Sequence, residues 1–165
     1  MPKIIILRGN SGSGKSTTAK ALQQKIGRNT LLVSQDYIRR EMLQVRDRPN
    51  NQAVDLLENL IQYGYQHCDI TILEGILRVD IYEGLFKSIE KIFSNDIFTY
   101  YFDVPFDETL KRHLQKSNVN FGESEMRKWW RDNDFLSNID EKKISKDANI
   151  DEIVERIYND IIIEK

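Results

Sequence analysis

Short apolar runs alternate along the chain with stretches in which apolar side chains return every three or four positions. Residues 3–7, Lys-Ile-Ile-Ile-Leu, form a continuous run of the kind a strand buried on both faces requires. Residues 16–26 then set Ala19, Leu22 and Ile26 on one helical face, and Gly27 ends that pattern. A second strand is predicted over 30–34, a short helix over 37–44, and a polar loop holding Pro49 over 46–51. A stripe of Val54, Leu57 and Ile61 predicts a helix over 52–66, and a third strand over 69–73 closes on Glu74-Gly75. There follow a helix over 81–93 and a strand over 96–102, stopped by Val104-Pro105. Asp107 is the candidate cap of the next helix, 106–115. Residues 117–133 are polar and aromatic with little periodicity. A short fifth strand is expected over 142–145, then a terminal helix over 150–163 capped by Asp147 or Asn149.

Strands alternating with helices imply an α/β protein, a mainly parallel five-stranded sheet between two helical layers. The chain has 165 residues, the size of one domain spanning 1–165. Its net charge of −2 gives no global basic footprint for nucleic acid, although local clusters occur at Arg39, Arg40, Arg46 and Arg48. The single cysteine, Cys68, excludes an intrachain disulfide and fits a cytoplasmic location. No apolar run approaches the roughly 20 residues of a membrane helix, and residues 4–7 are too short for a secretory leader core. His67 and His113 stand far apart, with no zinc spacing between Cys and His.

Gly9-Asn10-Ser11-Gly12-Ser13-Gly14-Lys15-Ser16 fits GxxxxGK[ST], with a buried strand before it and a helix after it. The glycines let the backbone turn and approach an anion closely. Amides from Ser13 to Thr17 then point at phosphate from the positive end of the helix. Lys15 neutralises the β- and γ-phosphate oxygens, and the Ser16 hydroxyl is a magnesium ligand. This pattern implies a three-layer α/β/α P-loop NTPase fold that binds a nucleoside triphosphate, with ATP and Mg²⁺ the expected pair.

Asp36 follows the second strand, where a carboxylate faces the crevice in which parallel sheets bind ligands. It is a candidate general base for a hydroxyl nucleophile, or simply a helix cap. Arg39 lies three residues on, able to bind substrate oxygens. The glycine loop followed by a strand ending in Asp-x-x-Arg resembles the small P-loop kinases, a group that includes polynucleotide 5′-hydroxyl, zeta-toxin, chloramphenicol, gluconate and shikimate kinases. The resemblance implies that Asp36 is the base and Arg39 a contact to the acceptor. Glu74, at the end of the third strand, then takes magnesium through water or the acceptor hydroxyl, and Arg78 reaches the acceptor or pairs with Glu74. It further implies that Arg112 stacks on the adenine and Lys116 faces the phosphates. A small helical lid is expected over about 117–134. Arg127 and Arg131, four apart, are expected on one helix face over the transferring phosphoryl group. Trp129 and Trp130 anchor that lid or stack on a flat substrate.

The reading favoured is an ATP-dependent kinase acting on a hydroxyl of a small molecule. A polynucleotide 5′-hydroxyl kinase is the alternative: Arg39 to Arg48 favour it and the acidic net charge opposes it. A nucleotide switch or sensor ATPase is a second alternative from another class. Against it, there is no Asn-Lys-x-Asp guanine signature and no Asp-x-x-Gly after the third strand.

Overall fold

The computed structural model describes residues 1–117 and 119–163. Its elements run β1 (Lys3–Arg8), α1 (Lys15–Ile26), β2 (Thr30–Ser34), α2 (Gln35–Tyr37), a π-helical segment (Ile38–Leu43), α3 (Gln52–His67), β3 (Ile70–Gly75), α4 (Val79–Phe93), β4 (Ile97–Asp103), α5 (Phe106–Leu114), α6 (Glu123–Trp129), β5 (Glu141–Ser145) and α7 (Ile150–Ile163). All strand pairs are parallel, and the sheet order is β2-β3-β1-β4-β5.

The apolar run of β1 explains its central place. Ile4, Ile5, Ile6 and Leu7 are each 0 % exposed, and alternate residues serve opposite faces. Ile4 and Ile6 pack with Leu57 and Ile61 of α3 and with Tyr82, Leu85 and Ile89 of α4. Ile5 and Leu7 pack with Ala19 and Leu22 of α1 and with Val154 and Ile157 of α7. Full burial of each such side chain stabilises by about 1.5–3 kcal/mol, which holds the carboxyl end of β1 fixed between two layers.

Helix ends are set by short polar side chains. Asn51 Oδ1 accepts from the Ala53 amide at 2.9 Å and starts α3. Asn149, rather than Asp147, caps α7: its Oδ1 accepts from Glu152 N at 2.9 Å, and Glu152 Oε2 accepts from Asn149 N at 3.2 Å. Asp107 does not cap α5. Pro105 holds the cap position with extended backbone, and Asp107 falls inside the first turn with Glu108, where both still favour the helix dipole. The segment of weak periodicity yields one short helix, α6. It is started by Gly122, whose amide donates to Glu125 Oε2 at 2.9 Å, and it buries Met126. Among the described residues no helix is long and apolar enough to cross a membrane.

Candidate functional site

The glycine loop leaves β1 and enters α1 with Gly9, Gly12 and Gly14 at φ 146°, 78° and 100°, values that L side chains rarely adopt. Close packing adds a second reason for glycine. A Cβ at Gly9 would stand 2.9 Å from the Phe102 carbonyl oxygen, and one at Gly12 would stand 2.7 Å from that of Thr109. The loop is thus pressed against the end of β4 and against α5. Lys15 is 7 % exposed. Its Nζ donates to the Asn10 carbonyl at 2.7 Å and to Ser13 Oγ at 3.2 Å. Burial lowers its pKa to about 8, against the opposing pull of Glu74.

Glu74 stands in register with Leu7 of β1 and Ser34 of β2, and it is 3 % exposed. Its Oε1 accepts from Ser34 Oγ at 2.6 Å and from Ser16 Oγ at 3.1 Å. A hydroxyl and a carboxylate oxygen beside a phosphate-binding loop are the hard donors magnesium takes, so these residues fit that ion. Arg78 does not join Glu74. It forks onto Asp80, with Nε to Oδ1 at 3.0 Å and Nη2 to Oδ2 at 2.6 Å, at the start of α4. That fork holds the Asp80 carboxyl below the usual range.

Ser34, not Asp36, caps the turn after β2: its Oγ accepts from Tyr37 N at 3.4 Å. The turn itself is anchored by buried Gln35, whose Nε2 donates to the Tyr82 hydroxyl at 3.0 Å, which donates in turn to Asp47 Oδ1 at 2.6 Å. Burial and Asp47 push the Tyr82 hydroxyl far above its ordinary pKa, so it remains a donor. Asp36 is released from capping and is 54 % exposed in its side chain. Its Oδ1 accepts from Arg39 Nη2 at 3.1 Å and pairs with Arg40 Nε at 2.8 Å. Arg39 also donates to the Val45 carbonyl at 3.2 Å, across the π-helical segment. Wide turns of that kind are rare, and those that occur are frequently at functional sites.

Two clefts flank the loop. One, of about 610 Å³, is lined by Gly12 to Gly14, Thr17, Arg112, Lys116 and the stretch 148–151. Arg112 crosses it, donating to Ser13 O and Lys146 O at 3.1 Å each and pairing with Glu108. The other, of about 760 Å³, brings Ser16, Ser34, Asp36 and Glu74 together under an apolar wall of Leu31, Val33 and Ile38.

The α6 segment meets the loop through Asn10. Its Nδ2 donates to the Arg131 carbonyl at 2.8 Å and its Oδ1 accepts from Arg131 N at 3.0 Å. Arg127 and Arg131 do not share a helix face, because α6 ends at Trp129 and Trp130 turns extended at ψ 134°. Arg127 pairs with Glu123 at 2.7 Å and lies 4.3 Å from the Phe106 ring centre. Arg131 donates to the Trp130 carbonyl at 3.1 Å. Trp129 packs on Phe121 and Trp130 on Phe106, both edge to face.

One residue of this site is not singled out by its motif. Arg8 ends β1 directly before Gly9 and is 0 % exposed. It pairs with Glu141 Oε1 at 2.8 Å and Asp134 Oδ2 at 3.0 Å, and it donates twice to the Leu77 carbonyl. It thereby joins the glycine loop to the entry of α4, to β5 and to the chain leaving α6. The available signal was a lone cation closing the apolar run of a central strand. Arg8→Met would strand two carboxylates, the Glu141 side chain being only 4 % exposed. Removing one partner of a buried pair costs about 3–5 kcal/mol. A fall in Tm of roughly 10 °C is therefore expected by scanning calorimetry for a chain of this size.

Comparison with known proteins agrees with this architecture. Residues 4–79 match the model of a family described as an AAA domain. No curated protein matches the sequence. The chain resembles the small P-loop kinases in fold along nearly its whole length. The APS kinase of Mycobacterium tuberculosis, in complex with AMPPNP and APS, superposes with TM-score 0.67 at 20 % identity, covering 99 % of this chain and 98 % of that one. A gluconokinase from Sinorhizobium meliloti gives TM-score 0.67 at 13 % identity, covering 99 % and 93 %. A chain of an RNA repair complex gives TM-score 0.57 at 23 % identity, covering 77 % of this chain and 42 % of that one.

Proposed function

We propose that the chain is an ATP-dependent kinase that transfers the γ-phosphoryl group to a hydroxyl of a small molecule. The observation that carries this reading is the second cleft, which places the Asp36 carboxylate in one cavity with Ser16 and Glu74. A triphosphate lying along the loop from the first cleft would end at Lys15 and Ser16, beside that cavity. A protein that only hydrolyses its nucleotide has no use for a second concave site of this size. Its volume of about 760 Å³ is that of a small-molecule pocket, and its apolar wall suits one face of such a ligand. The fold likeness to kinases supports the same reading.

In this account the loop amides and Lys15 hold the β- and γ-phosphates, and Arg112 closes the nucleoside side. Asp36 accepts the proton of the attacking hydroxyl, and Arg39 keeps its carboxylate in place. The segment 117–134 acts as lid, bringing Arg127 and Arg131 towards the transferring group and excluding water. Ser16 and Glu74 would hold magnesium, which when bound neutralises charge on the phosphate oxygens.

Because Lys15 loses its proton near pH 8, triphosphate affinity should depend on pH. The bound phosphates favour the protonated lysine, so affinity is level below about pH 8. Above it affinity falls, approaching about tenfold per pH unit by linkage. Calorimetric titration with magnesium and AMPPNP from pH 7 to 10 checks this, and undiminished affinity at pH 10 would contradict it.

A polynucleotide acceptor has one observation in its favour, the exposed Arg46 and Arg48 beyond the π-helical segment, with the RNA repair likeness beside it. Offering a 5′-hydroxyl oligonucleotide together with a pool of small metabolites, with γ-labelled ATP, separates the two. Label is expected in the small-molecule fraction. Label confined to the oligonucleotide would replace this reading with the polynucleotide one.

A further inference from the structure

Arg40 belongs to no motif, yet its environment is built. Its guanidinium carbon lies 5.0 Å from the ring centre of Phe121 and 5.2 Å from that of Trp129. Those two rings meet edge to face at 4.9 Å. Phe121 is fixed from behind, since His113 stacks on it at 4.5 Å and bonds its carbonyl oxygen through Nε2 at 2.8 Å. From this aromatic seat Arg40 Nε stands 2.8 Å from Asp36 Oδ1 as an ion pair, without the alignment of a hydrogen bond. Arg39 meets the same oxygen. Among the described residues both partners of the carboxylate thus engage Oδ1, which leaves Oδ2 as the oxygen to accept a proton.

We propose that Arg40 is a positioning residue: seated against Phe121 and Trp129 together, it restrains Asp36 at Oδ1 by charge and presents Oδ2 to the acceptor hydroxyl, so that the lid and the base act as one unit. Cations over aromatic faces are attracted by the ring quadrupole, more strongly as water is excluded. A lid that lifts away therefore takes the aromatic seat from under Arg40 and loosens one of the two cations on Asp36. Proton abstraction is then favoured only when water has been shut out.

This inference rests on the reading of Asp36 as base, and two independent readouts separate them. The first is spectroscopic. The chain has two tryptophans, so Trp130→Phe leaves Trp129 as the only indole. In that background Asp36→Ala, which removes Oδ1 altogether, is expected to change Trp129 emission and acrylamide quenching. Unchanged emission would overturn the clasp. The second is kinetic, with γ-labelled ATP and the metabolite pool. Arg40→Met is expected to lower kcat about ten- to a hundredfold, the cost of a slightly misplaced group, with KM for ATP unchanged. Arg40→Lys is expected to recover part of that loss, and Phe121→Leu to reproduce a smaller one. Parental turnover in Arg40→Met would overturn the proposal. If the parent chain itself labels no acceptor, the kinase reading fails, and the emission response to Asp36→Ala still decides the clasp.

Discussion

Exchange of Asp36 for asparagine is expected to lower kcat for phosphoryl transfer by about 10²–10⁴-fold, the usual contribution of a positioned general base. The amide keeps the shape of the carboxylate and still accepts from Arg39, but it cannot take a proton. Asp36 lines the second cleft and not the first, so KM for ATP should stay near its parental value. The side chain is 54 % exposed, and surface ion pairs of this kind contribute about 0–1 kcal/mol, so the fold should be unaffected. A kcat within a factor of two of the parent, measured with saturating acceptor and followed by label, would remove Asp36 from the chemistry.

The second large effect separates activity from stability. Lys15→Ala is expected to reduce transfer by about 10²–10³-fold, the loss seen when one preorganised charge at a developing anion is removed. Its effect on the fold should run the other way. Burial already penalises the Lys15 ammonium, as its lowered pKa shows, and the substitution removes that penalty along with hydrogen bonds to Asn10 and Ser13. Tm is therefore expected to hold or rise while AMPPNP affinity collapses. A variant that loses stability together with binding would mean that Lys15 is structural cement for the loop. Such opposition is common where a site is built for function at the expense of the fold.

The parallel sheet was legible because β1 is apolar on both faces and each later strand is followed by a helical pattern or a turn residue. The glycine loop was legible because its backbone demands leave few residue choices, as the positive φ values and the close approach to Phe102 and Thr109 show. What could not be read is what depends on distant partners. Arg8 and Glu141 are 133 residues apart, and nothing near either in the chain announces the pair. The spacing of Arg127 and Arg131 pointed to one helix face, but α6 stops between them, where Asn10 binds the backbone of Arg131. Arg78 sat at equal reach of Glu74 or the acceptor by count, and the turn into α4 gave it to Asp80 instead. Asp36 reads as cap or base, and the cap falls to Ser34 instead. For Arg8 and Arg131 a tertiary contact overrides a local rule, whereas for Arg78 and Asp36 one of several nearby partners wins, which spacing alone does not decide.

The central claim is that the γ-phosphoryl group goes to an acceptor and not to water. Its most direct test follows γ-labelled ATP in the parent chain, with and without the fractionated metabolite pool, and measures label in inorganic phosphate against label in a new ester. The account requires little inorganic phosphate without acceptor and a labelled ester when the pool is added. Release of inorganic phosphate at one rate in both conditions, with no labelled ester, would make this chain a nucleotide hydrolase and contradict it.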